Sequence, residues 1–575
     1  MNERRTLLAE ARHALGIEHL VLAIHDASFP CRADEDLGGG TPYGRGARDF
    51  LGWALDRGFT AVQLGPQGET SRANPSPYDG AAFAKTLSSI GGWALAHDPR
   101  WEGVLSPETL ADVVEGAPRD RHRMHYTYMH DATRSLVRQS WAGLDRKGAL
   151  FRRFEGFRPA WLLRDARFEA LALAHGTDDW ARWPEDADAR PDDAFMFGQF
   201  VVHAQHAELL AWAEAEGLTL FGDLAIGISR RDQWQRARFF LDGWRMGAPP
   251  SRTTLEGQPW DYPVLVPGAP EGLDFVRMRA EKLLRDFHGL RIDHPHGHVC
   301  PWVYRHDPRD PIRTVNEGAR LHESPHHPDL AAFAIAREAQ IDRSVAPYGE
   351  RWVTDLDDAQ VDRYSRTVEV LVDAARASGR DTSLVLFEVL STCPYPLHRV
   401  MRRLGVGRFR VTQKADPRDP HDVYSTHRAE RGDWVMLGNH DTPPIWLVVD
   451  GWSAETRLAW CDHLAGRLGA DAVDRAAALR DPRVLARPML ADLFASDAGR
   501  VSIFFADLFG ERAIYNVPGV VREDNWTLRV PHDFVDAHER RRVDGRALDV
   551  PLALASALRA RGHASLAERI EARFA

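Results

Sequence analysis

The sequence predicts a (β/α)8 barrel with inserted subdomains and no separate C-terminal β domain. Three observations lead to this fold class. A unit made of an amphipathic helical stretch, a glycine and a short apolar run recurs along the chain. About eight apolar runs of this kind can be counted, which favours a closed barrel over an open doubly wound sheet. No GxGxxG follows the first apolar run, which weakens a dinucleotide-binding alternative.

The apolar runs are too short for helices and are typical of strands buried on both faces. A glycine after a helical stretch supplies the left-handed residue that ends a helix. Alternating helices and strands imply parallel strands joined by crossover helices. In chain order, the predicted strands are LVLAIH (20–25), FTAVQLG (59–65), LTLFGDL (218–224), LRIDH (290–294), SLVLFEV (383–389), RFRVTQ (408–413), WVMLGNHD (434–441) and AIYNVPG (513–519).

Uneven strand spacing predicts the domain organisation. We expect a single catalytic barrel over 1–575, with a mostly helical subdomain inserted at 85–200. Smaller insertions are expected at 230–270 and 300–360, at the barrel mouth. The tail LALASALRARGHASLAERIEARF predicts a closing pair of amphipathic helices.

Composition excludes several classes of protein. The formal net charge of −10 lacks the basic balance of a nucleic-acid-binding protein. The 4 cysteines are scattered without a CxxC, which disfavours a disulfide scaffold and a structural zinc site. The N-terminus is charged throughout, and no apolar run approaches the ~20 residues of a membrane helix. We therefore expect a cytoplasmic protein, a monomer or small homo-oligomer, with neither nucleic-acid nor membrane partners.

Carboxylates end four of the predicted strands: Asp223, Asp293, Glu388 and Asp441. Side chains from different strands converge at the C-terminal mouth of a barrel. Any one of these carboxylates alone could be a strand-end cap or half of an ion pair. Four in a shared mouth favour a functional cluster.

A carboxylate cluster suits glycoside chemistry, which needs a nucleophile and a general acid/base. Arg291 lies two positions before Asp293, so strand alternation puts both side chains on one face. The adjacent guanidinium would then keep Asp293 ionised, which suits a nucleophile. Glu388 follows an apolar run, and apolar surroundings tend to raise a carboxyl pKa, which suits an acid/base. A third carboxylate could stabilise the positive charge of the transition state.

A metal site is the competing interpretation. His294, His296 and His298 alternate beside Asp293 in RIDHPHGH, and a barrel hydrolase could use such residues as metal ligands. Pro295 and Gly297 interrupt the alternation, however, and no HExxH is present. Solvated loop histidines are the preferred interpretation, and we expect no metal.

Aromatic residues near these strands fit sugar binding, because a flat ring can stack on a sugar. Tyr78, Trp260 and Trp526 lie in predicted loops, although most of the 18 tryptophans must simply pack the core or the surface.

Several segments, taken in order, resemble the 4-α-glucanotransferases, or amylomaltases, of glycoside hydrolase family 77. The similar segments are HDASFP (25–30), QLGPQG (63–68), SPYDGAAFA (76–84), GDLAIGIS (222–229), GAPP (247–250), GQPWDYP (257–263), RIDHPHG (291–297), FE (387–388), GNHDT (438–442), DLFG (507–510), YNVPG (515–519) and NW (525–526). Each segment alone is a weak signal, but their shared order is a strong one.

The resemblance implies roles for individual residues. Asp293 would be the nucleophile, Glu388 the acid/base, and Asp441 the transition-state stabiliser. The donor sugar site would be lined by Tyr78, Asp223, Arg291 and His440. The near acceptor site would keep Gln258 and Trp260. The resemblance further implies transfer of α-1,4-glucan segments between malto-oligosaccharides, with retention and without a metal or organic cofactor.

The sequence also departs from the family's pattern. Val389 stands where the family usually has Asp, and Thr442-Pro443 follows Asp441. The aromatic loop of the family is replaced by PPSRTT (249–254), so weaker recognition of long acceptors is expected. A retaining α-1,4-glucan hydrolase and a non-catalytic carbohydrate-binding protein remain as alternatives, the latter disfavoured by intact Asp293, Glu388 and Asp441.

Overall fold

The computed structural model describes residues 3–234, 236–251, 255–390 and 392–574. Within them lie twelve strands: β1 (His19–Ile24), β2 (Ala61–Leu64), β3 (Thr219–Leu224), β4 (Phe240–Ala248), β5 (Gln258–Leu265), β6 (Gly289–Ile292), β7 (Trp302–Arg305), β8 (Ala319–Arg320), β9 (Val385–Phe387), β10 (Phe409–Val411), β11 (Trp434–Met436) and β12 (Arg500–Phe504).

The same described residues form twenty-two α-helices. The helices up to β6 are α1 (Glu3–Leu15), α2 (Arg45–Leu55), α3 (Gly92–His97), α4 (Pro107–Glu115), α5 (Tyr126–Gly143), α6 (Ala149–Gly156), α7 (Leu162–His175), α8 (Asp193–Glu216), α9 (Arg230–Gln233) and α10 (Pro270–Asp286). The later helices are α11 (His296–Val299), α12 (Pro311–Asn316), α13 (Asp358–Ala377), α14 (Tyr395–Leu404), α15 (Ile445–Asp450), α16 (Ala454–Leu468), α17 (Arg475–Arg480), α18 (Ala486–Phe494), α19 (Phe505–Leu508), α20 (Phe534–Val543), α21 (Val550–Ala560) and α22 (Ala564–Phe574).

Eight strands form one sheet in the order β10-β11-β12-β1-β2-β3-β6-β9. Paired neighbours run parallel, as where Leu22 of β1 lies opposite Val62 of β2 and Ile503 of β12. Eight parallel strands with helices between them make a (β/α)8 barrel, which confirms the predicted fold class. The strands are short and buried on both faces, as their continuous apolar runs indicate.

The glycine that follows a helix is a structural feature of this chain. Gly217 after α8 and Gly405 after α14 adopt φ of 69° and 65°. This left-handed conformation costs glycine little, and it turns the chain from the helix toward the next strand. The helix–glycine–strand unit seen in the sequence therefore marks real boundaries.

One predicted strand is wrong. Residues 513–519 form no strand, and the eighth barrel strand is β12, which lies before them. All five residues of β12 are buried, and two of them are β-branched, as a central strand requires. The rejected segment contains Pro518, which has no N–H to donate to a neighbouring strand.

The chain divides into two compact units. One comprises Met1–Pro77, Ala84–Leu220 and Arg410–Ala575, and the other comprises Tyr78–Phe83 and Phe221–Phe409. We call them the first and the second unit. The predicted insertion boundaries remain predictions. In the first unit, residues 85–200 hold α3 to α7, the start of α8 and several turns of 3-10 helix.

The second unit carries an additional sheet of antiparallel strands in the order β5-β4-β7-β8. A small core packs against this sheet and comprises Ile226, Trp244, Met246, Val264, Val303, Leu321 and Leu330. In the first unit, α21 and α22 form the helix pair predicted for the tail. No helix among the described residues is long and apolar enough to cross a membrane.

Candidate active site

Three carboxylates of the second unit lie at the ends of three neighbouring strands. Asp223 is in β3, and Asp293 and Glu388 directly follow β6 and β9. Parallel pairing places Asp223 opposite Arg291 and Arg291 opposite Leu386. Backbone pairing continues one residue beyond the strands, because the Asp293 N–H donates to the Leu224 carbonyl and the Glu388 N–H to the Ile292 carbonyl. The strand register therefore brings the three carboxylates to one edge.

Arg291 joins these carboxylates. Its Nη1 donates to Asp223 Oδ2 at 2.6 Å. Its Nη2 lies 2.6 Å from Glu388 Oε1 and 3.1 Å from Asp293 Oδ1, close enough for ion pairing although neither approach has hydrogen-bond geometry. The prediction that Arg291 and Asp293 share a face is confirmed by this contact.

The charge of Arg291 is secure despite its burial. Only 2% of the residue is exposed. Burial acts to lower its pKa, but Asp223 and Glu388 outweigh it and hold the pKa well above the ordinary value. The guanidinium is therefore a permanent cation among three carboxylates.

Backbone amides hold the second oxygens of the two central carboxylates. The Ile226 N–H donates to Asp293 Oδ2 at 3.2 Å. The His294 N–H approaches Glu388 Oε2 at 3.4 Å, a long hydrogen bond. His294 has a φ of 41°, which is rare outside glycine. The strained residue is thus the one that directly follows Asp293 and whose amide approaches Glu388.

The spacing of these two carboxylates follows from their common partner. The two distances to Arg291 Nη2 limit the separation of Asp293 Oδ1 and Glu388 Oε1 to about 5.7 Å. Retaining glycosidases space their carboxyl groups by ~5–5.5 Å, and inverting enzymes by ~6.5–9.5 Å.

Tyr78 belongs to the same cluster. Its hydroxyl donates to Asp223 Oδ2 at 3.0 Å and lies 3.4 Å from Arg291 Nη1. Beside it, Tyr262 donates to Asp79 Oδ1 at 2.8 Å. Burial, followed by the charge of Asp79, raises the pKa of Tyr262 well above its usual value. Tyr262 was not predicted as a site residue, although its place in GQPWDYP, two residues after Trp260, offered a signal.

Trp260 and Gln258 are also brought to this cluster. The Trp260 indole donates to Gln258 Oε1 at 3.0 Å. The edge of its ring packs against His294, with ring centroids 4.7 Å apart. Trp260 is thus separated from Asp293 by a single residue, His294.

A bulge in β5 sets the position of Trp260. Tyr262 lies opposite Met246 and Gln258 opposite Ala248, so β5 holds two more residues than β4 between these pairs. Asp261 within the bulge has a φ of 60°, and its N–H donates to the Tyr304 hydroxyl at 2.9 Å. Bulges of this kind redirect side chains near functional sites.

The three histidines of RIDHPHGH are partly buried, and their imidazoles are neutral. Burial lowers the pKa of His294 well below its usual value, that of His296 to about 4 and that of His298 to about 3. His296 Nε2 contacts the Thr392 carbonyl at 2.8 Å. Over the described ranges, no three His, Cys, Asp or Glu side chains are grouped to hold a metal. The expectation of solvated loop histidines holds only in part, because all three keep some solvent exposure while His296 and His298 lie in the short helix α11.

His440 and Asp441 lie in the first unit, in the loop after β11. Asp441 Oδ1 accepts from Asn516 Nδ2 at 2.7 Å, and Asp441 Oδ2 lies 3.3 Å from His440 Nε2. The His440 ring packs against His25, with centroids 5.1 Å apart. Asn516 was missed as a site residue because its segment was interpreted as a strand.

A second aromatic residue of the first unit lies beside His440. The Trp526 ring centroid is 6.0 Å from that of His440, and Trp526 itself has a φ of 66°.

In the altered loop 249–254, Arg252, Thr253 and Thr254 lie outside the described residues.

A (β/α)8 barrel with strand-end carboxylates around a buried arginine has the form of a carbohydrate-active barrel protein. The sequence model of glycoside hydrolase family 77, described as 4-alpha-glucanotransferase, matches residues 28–533. The chain belongs to this family.

Individual relatives agree. The chain is similar to a 4-alpha-glucanotransferase of Thermus thermophilus, with 30% identity over 288 residues, 45% of this chain and 55% of that protein. A 4-alpha-glucanotransferase of Synechocystis sp. is 26% identical over 313 residues, 49% of this chain and 59% of that protein. The matches thus span little more than half the length of these relatives.

Solved structures resemble the fold. An amylomaltase from Streptococcus agalactiae, in complex with acarbose, superimposes with a TM-score of 0.70 at 18% identity and covers 92% of this chain and 100% of its own. An amylomaltase from Corynebacterium glutamicum gives 0.62 at 16% identity, covering 97% of this chain and 76% of its own.

Proposed function

We propose that this protein is a 4-α-glucanotransferase that moves α-1,4-glucan segments to the 4-hydroxyl of an acceptor sugar by a retaining double displacement. The observation that carries the proposal is the spacing of Asp293 and Glu388. Both approach Arg291 Nη2, so Asp293 Oδ1 and Glu388 Oε1 are at most about 5.7 Å apart. This spacing supports retention rather than inversion.

In the first step, Asp293 attacks the anomeric carbon of the donor while Glu388 protonates the departing glycosidic oxygen. The bond to the leaving chain breaks and a covalent glucosyl–Asp293 ester forms. In the second step, Glu388 removes the proton from the acceptor 4-hydroxyl, whose oxygen displaces Asp293. Two inversions at one carbon give net retention, and Glu388 ends protonated, ready for the next cycle.

Arg291 has a double effect in this scheme. Its charge keeps Asp293 ionised, as a nucleophile requires. It lies even closer to Glu388, so it also favours the ionised form of that carboxyl in the free protein. The acid role therefore requires that a bound sugar weakens the contact between Arg291 and Glu388, and the two carboxyls titrate as a coupled pair.

The remaining side chains bind sugar. Tyr78 and Asp223 are held together by their own hydrogen bond, which fixes them beside the reacting pair. Trp260 offers an aromatic face, and Gln258 a side-chain amide, to the acceptor sugar. Asp441 and His440 bind donor hydroxyls, and Asp441 offsets the positive charge of the transition state. The substrates are α-1,4-glucans and malto-oligosaccharides, and no cofactor takes part.

We further propose a cytoplasmic location and a monomer or small homo-oligomer. The four cysteines are all free, which suits a reducing compartment.

Incubation with maltotriose, followed by analysis of product lengths, tests the proposed activity. Transfer yields both longer oligomers and shorter sugars. Formation of glucose and maltose alone would identify a hydrolase. The absence of turnover, together with binding of maltotriose, would identify a carbohydrate-binding protein.

A further inference from the structure

A buried carboxylate of the first unit has no place in the mechanism above. Asp507 lies in α19, three residues after β12, and is 1% exposed. Its Oδ1 accepts the Ile445 N–H at 2.7 Å, and the backbone amide of Gly438 is near enough to the carboxylate to favour its charged form. Its own carbonyl accepts the Trp446 indole N–H at 2.8 Å. One residue thus contacts the chain at three points between 438 and 446.

These contacts bracket the loop that carries His440 and Asp441. Gly438 begins this loop two residues after the end of β11, and Ile445 begins α15 at the end of the loop. Asp507 therefore bonds to the last residue of an eight-residue segment, 438–445, and its carboxylate interacts with the amide of the first. We call this segment the Asp441 loop.

The Asp441 loop is also constrained from within. The Asn439 N–H donates to Thr442 Oγ1 at 2.9 Å, and Asn439 Oδ1 accepts the Asp441 N–H at 3.0 Å. Gln413 Nε2 donates to the Pro443 carbonyl at 2.8 Å. A side chain at Gly438 would come within 2.6 Å of Thr442 Oγ1. With its two ends fixed, such a loop has little freedom to shift Asp441.

Asp507 is not explained by stability alone. Across the described part of the chain, no cation forms a salt bridge with it, and burial raises its pKa to about 7 although the amides of Ile445 and Gly438 act against this. A buried carboxyl with backbone amides as partners is costly compared with an apolar residue of similar size. The cost is offset where the carboxylate fixes a segment that a neutral side chain could not hold.

We propose that Asp507 is the positioning residue for Asp441, fixing both ends of the Asp441 loop so that the Asp441 carboxylate meets the substrate. This inference rests on the proposed function, in which Asp441 acts in the transition state. Asn516 then fixes the carboxylate itself, by its 2.7 Å hydrogen bond.

The first arm of the test needs no activity. Hydrogen–deuterium exchange of peptides spanning 434–446 is compared between the wild-type chain, Asp507→Asn and Asp507→Ala. We expect exchange in this segment to accelerate at least tenfold in Asp507→Ala and less in Asp507→Asn, whose amide oxygen can still accept one N–H. Asp507→Asn keeps the test open if Asp507→Ala does not fold. If exchange in this segment is unchanged in a variant that folds, Asp507 does not fix the Asp441 loop, and this conclusion does not depend on which reaction the enzyme catalyses.

The second arm measures kcat and KM for maltotriose. We expect Asp507→Asn to lower kcat by roughly 10²-fold, as small misplacements of a reacting group do, with KM changed less than threefold. The matched control is Asp492→Asn, a buried aspartate of the same unit that is bonded to Thr426 and Arg467. It should lose stability but keep kcat.

The two arms separate the outcomes. Faster exchange with unchanged kcat would overturn the positioning role, and so would an equal loss of kcat in the Asp492→Asn control. A wild-type chain that transfers no sugar would refute the proposed function. The hydrogen–deuterium exchange measurement would still decide whether Asp507 fixes the Asp441 loop.

Discussion

Replacement of Arg291 by glutamine tests the central feature of the site. The change removes the cation and leaves Asp223, Asp293 and Glu388 facing one another where Arg291 had been within 2.6 to 3.1 Å of each. Loss of one partner of a buried ion pair costs about 3–5 kcal/mol of unfolding free energy. Three carboxylates without a cation would cost more, so we expect them to take up protons instead.

This proton uptake gives the variant a characteristic pH dependence. Without Arg291, the carboxyl pKa values of the folded variant rise above the unfolded value near ~4. The folded variant then binds more protons than the unfolded chain, so its stability falls as pH increases through this window. The difference in unfolding free energy between wild type and variant therefore grows with pH. It grows by about 1.4 kcal/mol per pH unit for each proton that the folded variant keeps and the unfolded chain has lost, or roughly 3 kcal/mol between pH 5 and pH 7.

Urea unfolding at pH 5 and pH 7 measures the gap, and the maltotriose assay measures function. Arg410→Gln is the matched control, because Arg410 is a buried arginine of the first unit paired with Asp433 at 2.7 Å. The control should lose comparable stability and keep its transfer activity, whereas Arg291→Gln should lose both. A stability gap below ~1 kcal/mol at pH 7, or one that narrows as pH increases, would refute the reasoning.

Three further predictions concern individual side chains and the acceptor. Asp293→Asn and Glu388→Gln should each lower kcat by several orders of magnitude while the fold is kept, as measured with maltotriose and circular dichroism; near-normal turnover removes that residue from the mechanism, and full loss of wild-type activity in EDTA revives the metal interpretation. The acceptor series from glucose to maltoheptaose should show the highest kcat/KM for short acceptors, because PPSRTT lacks aromatic stacking residues; a steady rise with length contradicts this. Asp261→Val, which disfavours a positive φ, should raise the acceptor KM several-fold through Trp260, whereas Asp261→Gly should not; equal KM values for the two variants would dissociate the bulge from acceptor binding.

The sequence was sufficient to predict the barrel because its signal is local and repeated. Several helices end at a glycine and the barrel strands are short, largely buried runs, so both patterns can be recognised without knowledge of contacts. The pairing of Arg291 with Asp293 was predictable for the same reason, since residues two apart in a strand share a face.

The features that were missed depend on distant pairings. Tyr262 with Asp79 and Asn516 with Asp441 are hydrogen bonds between segments far apart in the chain, which no local pattern reveals. The wrong strand at 513–519 arose because its apolar residues resemble a strand, whereas Pro518 and the earlier run of β12 carried the decisive information.

Backbone strain at non-glycine residues is a further feature that the sequence pattern does not predict. Among the described residues, four non-glycine residues have a clearly positive φ: Glu102, Asp261, His294 and Trp526. Glu102 follows a turn of 3-10 helix, where a left-handed residue is common. The other three adjoin Trp260, adjoin Asp293 and pack against His440, respectively. Strained residues of this kind cost about 1–3 kcal/mol each and persist where the surroundings over-determine them. In this chain, three of the four therefore lie beside residues that the sequence predicts for the site, two of them in the second unit and one in the first.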